Sequence, residues 1–174
     1  RVESTSDPLA SGKSLVVGSV MSTSMPGDHV WGAGCIRPDA VGNGGTRMNV
    51  HAVRGPLTRA ELAKKGIPCP EVYGDPALLF PEVVADRPVP AVDHRWGIVP
   101  HYTDEAHPVL ERWRSEGAKI IDICAGLHEF IDELRSVERI ASSSLHGLIA
   151  ADAFGIPNVR IRLGGGLVGG HFKF

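Results

Sequence analysis

The chain has 174 residues, of which 43% are hydrophobic and 22% charged, and its formal net charge of −2 at pH 7 provides no basic surface for a nucleic acid. Three widely spaced cysteines indicate neither a disulfide framework nor a zinc site, and no apolar stretch reaches the roughly 18 residues that a membrane span needs. We therefore expect one or two small globular domains in a cytoplasmic protein, with peripheral contact at the inner face of the membrane left open.

The first half of the chain has few regular elements. Its pattern predicts, in chain order, a strand, a loop, a second strand, a helix, and a strand followed by a turn, over residues 13–21, 22–34, 49–55, 56–66 and 71–80. Pro56 suits the first position of the helix and Gly66 suits its end.

From residue 96 onward, short strands alternate regularly with helices. The strands are predicted over 96–102, 118–123, 138–143 and 158–163, and the helices over 107–117, over 127–137 and from the serines of ASSSLHG (141–147) onward. Four strands separated by three helices favour a parallel sheet with right-handed crossovers. The pattern therefore predicts an α/β fold with a parallel sheet.

A Pro-rich segment separates the two halves. PEVVADRPVPAVDHR (81–95) is the only credible linker in the sequence. We accordingly predict an N-terminal domain over 1–85, a linker over 86–95 and a C-terminal domain over 96–174.

The segment ASSSLHG lies where parallel α/β sheets bind ligands. The carboxyl ends of strands meet helix N-termini there, and these offer unpaired N–H groups and a partial positive charge. A serine at this position can simply cap the helix, and His146 can be a buried histidine with its bonds satisfied. The functional interpretation is that His146 meets an anionic ligand, which the missing side chain of Gly147 allows to approach closely, and acts as a general acid.

Other strand ends supply further candidates. Arg54 ends a strand directly before a helix, so it can hold a carboxylate or phosphate, or it can be an ordinary surface arginine at a strand end. His101 and Tyr102 end the strand 96–102 and either reach a ligand or cap that strand. Asp75 precedes a proline and is either a turn residue or a partner for a substrate hydroxyl. Trp31 offers a face on which a sugar can stack, although loop packing is an equal alternative.

Several signatures of other enzymes are missing from the sequence. It contains no GxSxG nucleophile elbow, no GxxxxGK[ST] phosphate loop and no convincing pair of glycosidase carboxylates. What remains is chemistry on an anionic substrate, performed by His, Arg and helix N-termini.

Six segments carry a resemblance to a known family. They are VWGAG (30–34), HAVRGPLTRAELAKKGI (51–67), YGDPALLFP (73–81), IVPHY (98–102), FIDELRSVERIASSSLHGLIAADAFGIPN (130–158) and FKF (172–174). In this order they resemble the polysaccharide pyruvyl transferase family. The resemblance implies an α/β fold with Rossmann-like parallel sheets in a two-domain, GT-B-like arrangement. In this arrangement the C-terminal domain is the donor side and the N-terminal domain the acceptor side.

The resemblance also implies a reaction. A pyruvyl group would move from phosphoenolpyruvate onto two sugar hydroxyls as a ketal, on a surface polysaccharide or exopolysaccharide or its lipid-linked precursor. His146 would protonate the donor, whose anionic groups would be bound by Arg54, Ser143, Ser144 and Leu145, with the N–H groups of Ser143 and Ser144 taking part. The acceptor would contact Trp31, Asp75, His101 and Tyr102. No metal and no cofactor besides the donor substrate is implied.

Two departures from the family keep alternatives open. Some members have Arg-Leu-His where this chain has Ser144-Leu145-His146, and the chain is shorter at its N-terminus, so we expect the N-terminal part to be incomplete. The alternatives are a GT-B nucleotide-sugar glycosyltransferase, whose diphosphate would bind at the helix after Ser144, and a truncated, inactive sugar-binding module.

Overall fold

The computed structural model describes residues 12–164, so the predicted FKF motif (172–174) lies outside the described residues. The strands are β1 (Ser14–Leu15), β2 (His29–Trp31), β3 (Asn49–Ala52), β4 (His94–Val99), β5 (Lys119–Ile120), β6 (Val137–Ser142) and β7 (Asn158–Arg160). The helices are α1 (Pro56–Lys64), α2 (Phe80–Val83), α3 (Val109–Ser115), α4 (Leu127–Arg135) and α5 (Leu145–Ala153). Within residues 12–164, no helix combines the length and the apolar character needed to cross a bilayer.

The first sheet contains β1, β2 and β3 in that order, all parallel. The prediction of a loop over 22–34 was wrong, because β2 lies within it and is the central strand of this sheet. With only three residues between turn-forming segments, β2 is too short to show the alternation that reveals a strand. The predicted strand over 13–21 shortens to Ser14–Leu15. Residues 71–80 form a single bridge from Tyr73 to Val53 and then helical turns.

The second sheet has the order β5-β4-β6-β7 and is also parallel throughout. Successive residues of β4 point to opposite faces, as strand geometry requires. Val99 packs in the cluster that contains the buried residues of α4 and α5, whereas Ile98 packs with Leu110 of α3. Helices therefore lie on both faces, which confirms the α/β class with Rossmann-like parallel sheets.

Two compact units divide the chain between Gly74 and Asp75. This division differs from the predicted boundary, because the predicted linker 86–95 lies inside the second unit. A 3₁₀ helix, Pro76–Leu79, contacts α5, and Val84 is buried in the core of the second unit. These apolar contacts attach the Pro-rich segment to the second sheet, although its composition is typical of a linker.

Candidate active site

The candidate site lies at the carboxyl ends of β4 and β6. These two strands are neighbours, with Val99 paired to Ser142. From β4 the chain crosses to β5 on one side and then returns to β6 on the other side, so β4 and β6 flank the point where the strand order reverses. Ligands of open α/β sheets bind at such a switch point. The topology therefore selects the residues that follow these two strands.

Ser142 organises the turn between β6 and α5. Its Oγ lies 2.8 Å from the carbonyl oxygen of Val99 and 2.9 Å from that of Ser144, which share its single proton, and it accepts from the N–H of Ser144 (3.0 Å). Within residues 12–164 no side chain caps the N-terminus of α5, so the predicted serine cap was wrong. Ser142 stabilises the turn instead of the helix end.

The proposed role for the N–H groups of Ser143 and Ser144 needs a similar correction. The N–H of Ser143 donates to the carbonyl of Val99 (3.2 Å), and that of Ser144 donates to Ser142. Both donors are thus occupied by the protein. Leu145 is the first residue of α5, and its N–H makes no hydrogen bond within the described part of the chain. Any ligand at this helix end would meet the N–H groups of α5 from Leu145 onward.

Ser143 joins the two strand ends. Its hydroxyl accepts from the N–H of His101 (2.8 Å) and donates to Asp104 Oδ2 (2.7 Å). His101 is itself buried, and its Nδ1 lies 2.9 Å from Thr103 Oγ1 while accepting from the N–H of Thr103. His101 therefore caps the 3₁₀ helix Tyr102–Asp104 that follows it, a turn role and not the strand cap of the alternative prediction.

Gly147 lies on the buried face of α5, against the sheet, and not on the ligand side. A Cβ there would come within 2.8 Å of Val99 Cγ1 and closer still to Ser142 Oγ. The buried face of α5 consists of Gly147, Ala150 and Ala151, all of them small. These residues let the helix lie directly on β4 and β6, so the expectation that Gly147 makes room for a ligand was wrong.

His146 occupies the first turn of α5 and faces Asp75. Its Nε2 lies 3.4 Å from Asp75 Oδ2, and the two side chains are 21% and 3% exposed. Asp75 Oδ1 accepts from the N–H of Ala77 (3.0 Å), which confirms the turn role predicted for this aspartate. The distance of 3.4 Å lies within ion-pair range but exceeds that of a well-formed hydrogen bond. The sequence contained no signal for this pair, because the residues are far apart along the chain.

Arg54 belongs to the first unit and follows β3, which ends at Ala52, earlier than the predicted strand. Its Nη1 donates to Ser19 Oγ (2.9 Å) and its Nη2 to the carbonyl of Cys35 (3.2 Å). The guanidinium lies against Gly34, where a Cβ would be 2.5 Å from Cζ. Gly34 and Ser19 were not predicted as functional residues. The glycine belongs to the VWGAG segment, but only the fold reveals that it accommodates Arg54.

Of the residues predicted to contact the acceptor, two are aromatic and exposed. Trp31, at the end of β2 in the first unit, is 55% exposed, and Tyr102, in the second unit, is 58% exposed. The ring of Trp31 lies 6.5 Å from that of His51, and the ring of Tyr102 lies 4.3 Å from that of His101. Each ring thus has a histidine ring as a neighbour and presents an exposed apolar face on which a sugar ring can stack.

The polysaccharide pyruvyl transferase family model matches residues 47–164. The chain belongs to this family. The matched region contains most of the predicted site residues, including Arg54 and His146, but it begins after Trp31. The family assignment therefore confirms the resemblance on the segment that holds both the histidine and the arginine.

A curated relative shares a longer stretch of the chain. It is an uncharacterized protein of Acanthamoeba polyphaga mimivirus, 28% identical over 153 residues, which are 86% of this chain and 53% of the relative. The chain thus spans about half the length of the relative that it matches. No solved structure matches the chain.

Cys35, whose backbone carbonyl accepts from Arg54, does not offer a thiolate that would compete with an anionic substrate for the guanidinium. Burial, together with the nearby Glu61 carboxylate, raises the pKa of Cys35 to about 11. The thiol is therefore neutral at physiological pH, and it neither neutralises the guanidinium nor acts as a nucleophile.

One group among the described residues could hold a metal ion. Glu105, Asp122 and Cys124 each bring one potential ligand atom within 4.8 Å of the others. All three are exposed, and such groups are common without an ion. The absence of a metal from the reaction remains a prediction.

Proposed function

We propose that the chain is the catalytic part of an enzyme that transfers the pyruvyl group of phosphoenolpyruvate onto two hydroxyls of a sugar. The product would be a pyruvate ketal on a surface polysaccharide or exopolysaccharide, or on its lipid-linked precursor. The position of His146 carries this proposal. It lies in the first turn of α5, at the switch point of a parallel sheet, within the segment that the family model matches.

Phosphoenolpyruvate carries two anionic groups, a phosphate and a carboxylate, and each unit of the chain offers its own kind of anion-binding group. In the first unit, two hydrogen bonds hold the Arg54 guanidinium in a fixed orientation. The N-terminus of α5, starting at Leu145, supplies N–H groups and the positive end of the helix dipole. Ser143 and Ser144 contribute by fixing the turn before the helix, since their own N–H groups are occupied. The GT-B-like two-domain arrangement forms part of this proposal and is supported by a separate parallel sheet in each unit.

The chemistry begins with proton transfer to carbon. Protonated His146 donates to the methylene carbon of phosphoenolpyruvate, which becomes a methyl group and leaves an oxocarbenium-like centre at the adjacent carbon. The first sugar hydroxyl attacks this centre, phosphate then leaves, and the second hydroxyl closes the ketal. Two hydroxyl protons are released in total. One replaces the proton that His146 gave, and the other leaves with phosphate.

The acceptor would contact the exposed aromatic faces of Trp31 and Tyr102. His101 and Asp75 are less suited to this role, because both are buried and have partners within the protein. Alanine at Trp31 or Tyr102 is expected to raise the KM for the acceptor with little change in donor binding.

Phosphate release in the presence of phosphoenolpyruvate and candidate glycans tests the function. The variant His146→Ala should lose turnover while its donor affinity stays within roughly tenfold, or about 1.4 kcal/mol. The exposed His128 on α4 offers a matched control, since His128→Ala should keep full activity. Unimpaired turnover in His146→Ala would refute the general-acid role.

Two further outcomes address the alternatives. Tight binding of a nucleotide sugar, without turnover of phosphoenolpyruvate, would indicate a glycosyltransferase instead. Donor or sugar binding without any turnover, by this chain and by a longer form of the protein, would indicate an inactive binding module. The family match favours neither alternative over pyruvyl transfer.

A further inference from the structure

We propose that Asp75 is a positioning residue for His146, which it orients through Nε2 so that Nδ1 is the ring nitrogen that exchanges protons with the substrates. This inference rests on the proposed function. It replaces the earlier expectation that Asp75 contacts the acceptor.

The first support is the geometry of the pair. Asp75 Oδ2 and His146 Nε2 lie 3.4 Å apart, both atoms are buried, and neither has a hydrogen-bond partner among the described residues. A buried polar atom without a partner is costly, so each atom is a site at which a small movement would gain a hydrogen bond. Because catalytic hydrogen bonds are often long in the absence of substrate, a slight rotation of the imidazole suffices to form this one.

The second support is that Asp75 is itself held in place. Its Oδ1 accepts from the N–H of Ala77, and Pro76 begins the 3₁₀ helix that contacts α5. One carboxylate oxygen is therefore anchored to the backbone while the other faces His146. This is the arrangement in which an acidic side chain fixes the orientation and tautomer of a histidine.

The third support is the burial of the Asp75 carboxylate, which keeps a substrate away from it and requires a partner within the protein. The side chain of Asp75 is only 3% exposed, so a sugar hydroxyl cannot reach its carboxylate without displacing protein. A buried carboxylate needs a compensating positive charge or several hydrogen bonds. Among the described residues, the ion-pair partner that faces this carboxylate is the imidazole of His146.

The pair determines the path of the protons. With Nε2–H directed at Asp75, the proton on Nδ1 of His146 passes to the methylene carbon of the donor. The neutral imidazole then keeps its Nε2–H and has a lone pair on Nδ1, which accepts the proton of the attacking hydroxyl. His146 thus recovers its proton within one turnover, and Asp75 takes no part in the proton transfers.

Two variants separate positioning from capping. Asp75→Asn keeps the side-chain shape, and its single oxygen can still accept from the N–H of Ala77. The NH2 group then faces Nε2 of His146, so Nε2 must accept a hydrogen bond and the proton of the neutral ring moves to Nδ1. Asp75→Ser can still cap the 3₁₀ helix but no longer reaches the imidazole. The matched control is Asp152→Asn on the last turn of α5, where the side chain is exposed and the carboxylate accepts a hydrogen bond from the Asn158 side chain.

The Asp75 variants are expected to turn over more slowly while binding the donor almost as tightly as the unmodified chain. Both Asp75 variants should lower kcat by about 10- to 100-fold, part of the 10²–10⁴-fold that general acid–base catalysis supplies, while donor affinity changes by less than about threefold. Asp152→Asn should retain the kcat of the unmodified chain. Thermal melts of each variant establish that the protein is folded. A kcat within about twofold of the control in folded Asp75→Asn would overturn the proposal.

A second readout does not depend on turnover. The ring nitrogens of ¹⁵N-labelled histidine report the tautomer by NMR, and His146→Gln assigns the signal. We expect Nε2–H in the unmodified neutral side chain and a changed tautomer in Asp75→Asn. If no acceptor supports phosphate release but this change is observed, the proposed function fails and the pairing stands. An unchanged His146 signal in Asp75→Asn would refute the pairing whatever the activity.

Discussion

Replacing Gly147 with alanine tests the closest helix–sheet contact of the candidate site. The added Cβ would lie 2.8 Å from Val99 Cγ1, which is shorter than an ordinary van der Waals contact, and even nearer to Ser142 Oγ. Neither neighbour can move easily, because Val99 is fully buried and Ser142 is held by hydrogen bonds within the turn. The helix α5 must therefore shift, or the turn must lose hydrogen bonds.

Three contributions determine the size of the effect. Overpacking a core costs about 1–3 kcal/mol. Each hydrogen bond lost from Ser142 costs about 1 kcal/mol more. The higher helix propensity of alanine offsets about 1 kcal/mol. The net loss is about 2 kcal/mol, which lowers the melting temperature by about 4–8 °C in a chain of this size.

Urea and thermal unfolding followed by far-ultraviolet circular dichroism measure this loss. Gly126→Ala is the matched control, since a Cβ there meets no atom within 4 Å among the described residues and its φ of −57° suits alanine. The control should lose less than about 1 kcal/mol, the usual range for a change at a helix N-cap. A Gly147→Ala variant as stable as the unmodified chain would refute the close packing of α5 on β4 and β6. Phosphate release should fall in parallel, because His146 moves with the helix.

Three other outcomes follow from the first unit and from the thiols. Gly34→Ala should weaken binding of phosphoenolpyruvate, measured by calorimetry, because a Cβ 2.5 Å from Cζ displaces the Arg54 guanidinium; unchanged affinity would remove Arg54 from the donor site. Arg54→Lys should also weaken donor binding, by about tenfold, since lysine cannot reproduce the two-pronged geometry. In native protein at neutral pH, iodoacetamide should modify the exposed Cys124 and spare Cys35, whose pKa is raised to about 11 by burial. Mass spectrometry that finds both thiols modified at the same rate would contradict the buried placement of Cys35.

Much of the second unit could be predicted from local sequence alone. Each of its four strands and the three helices between them occurs where the pattern placed it, with ends that differ by a few residues. Helix α4 shows why, since its buried residues Phe130, Ile131 and Leu134 recur at helical spacing and define one face. Segments of this kind carry their own structural signal. Short segments such as β2 do not, and the prediction failed there.

The sequence by itself determined the fold class, the family and the two residues of greatest chemical interest, Arg54 and His146. These depend on composition, periodicity and motif, which are properties of neighbouring residues. Only the tertiary structure decided that Asp75 faces His146 and that Gly34 lies against Arg54. Such contacts depend on strand order, register and the close approach of helices to sheets. Nothing in the local pattern encodes them, because they join residues that are distant along the chain and adjacent only after folding.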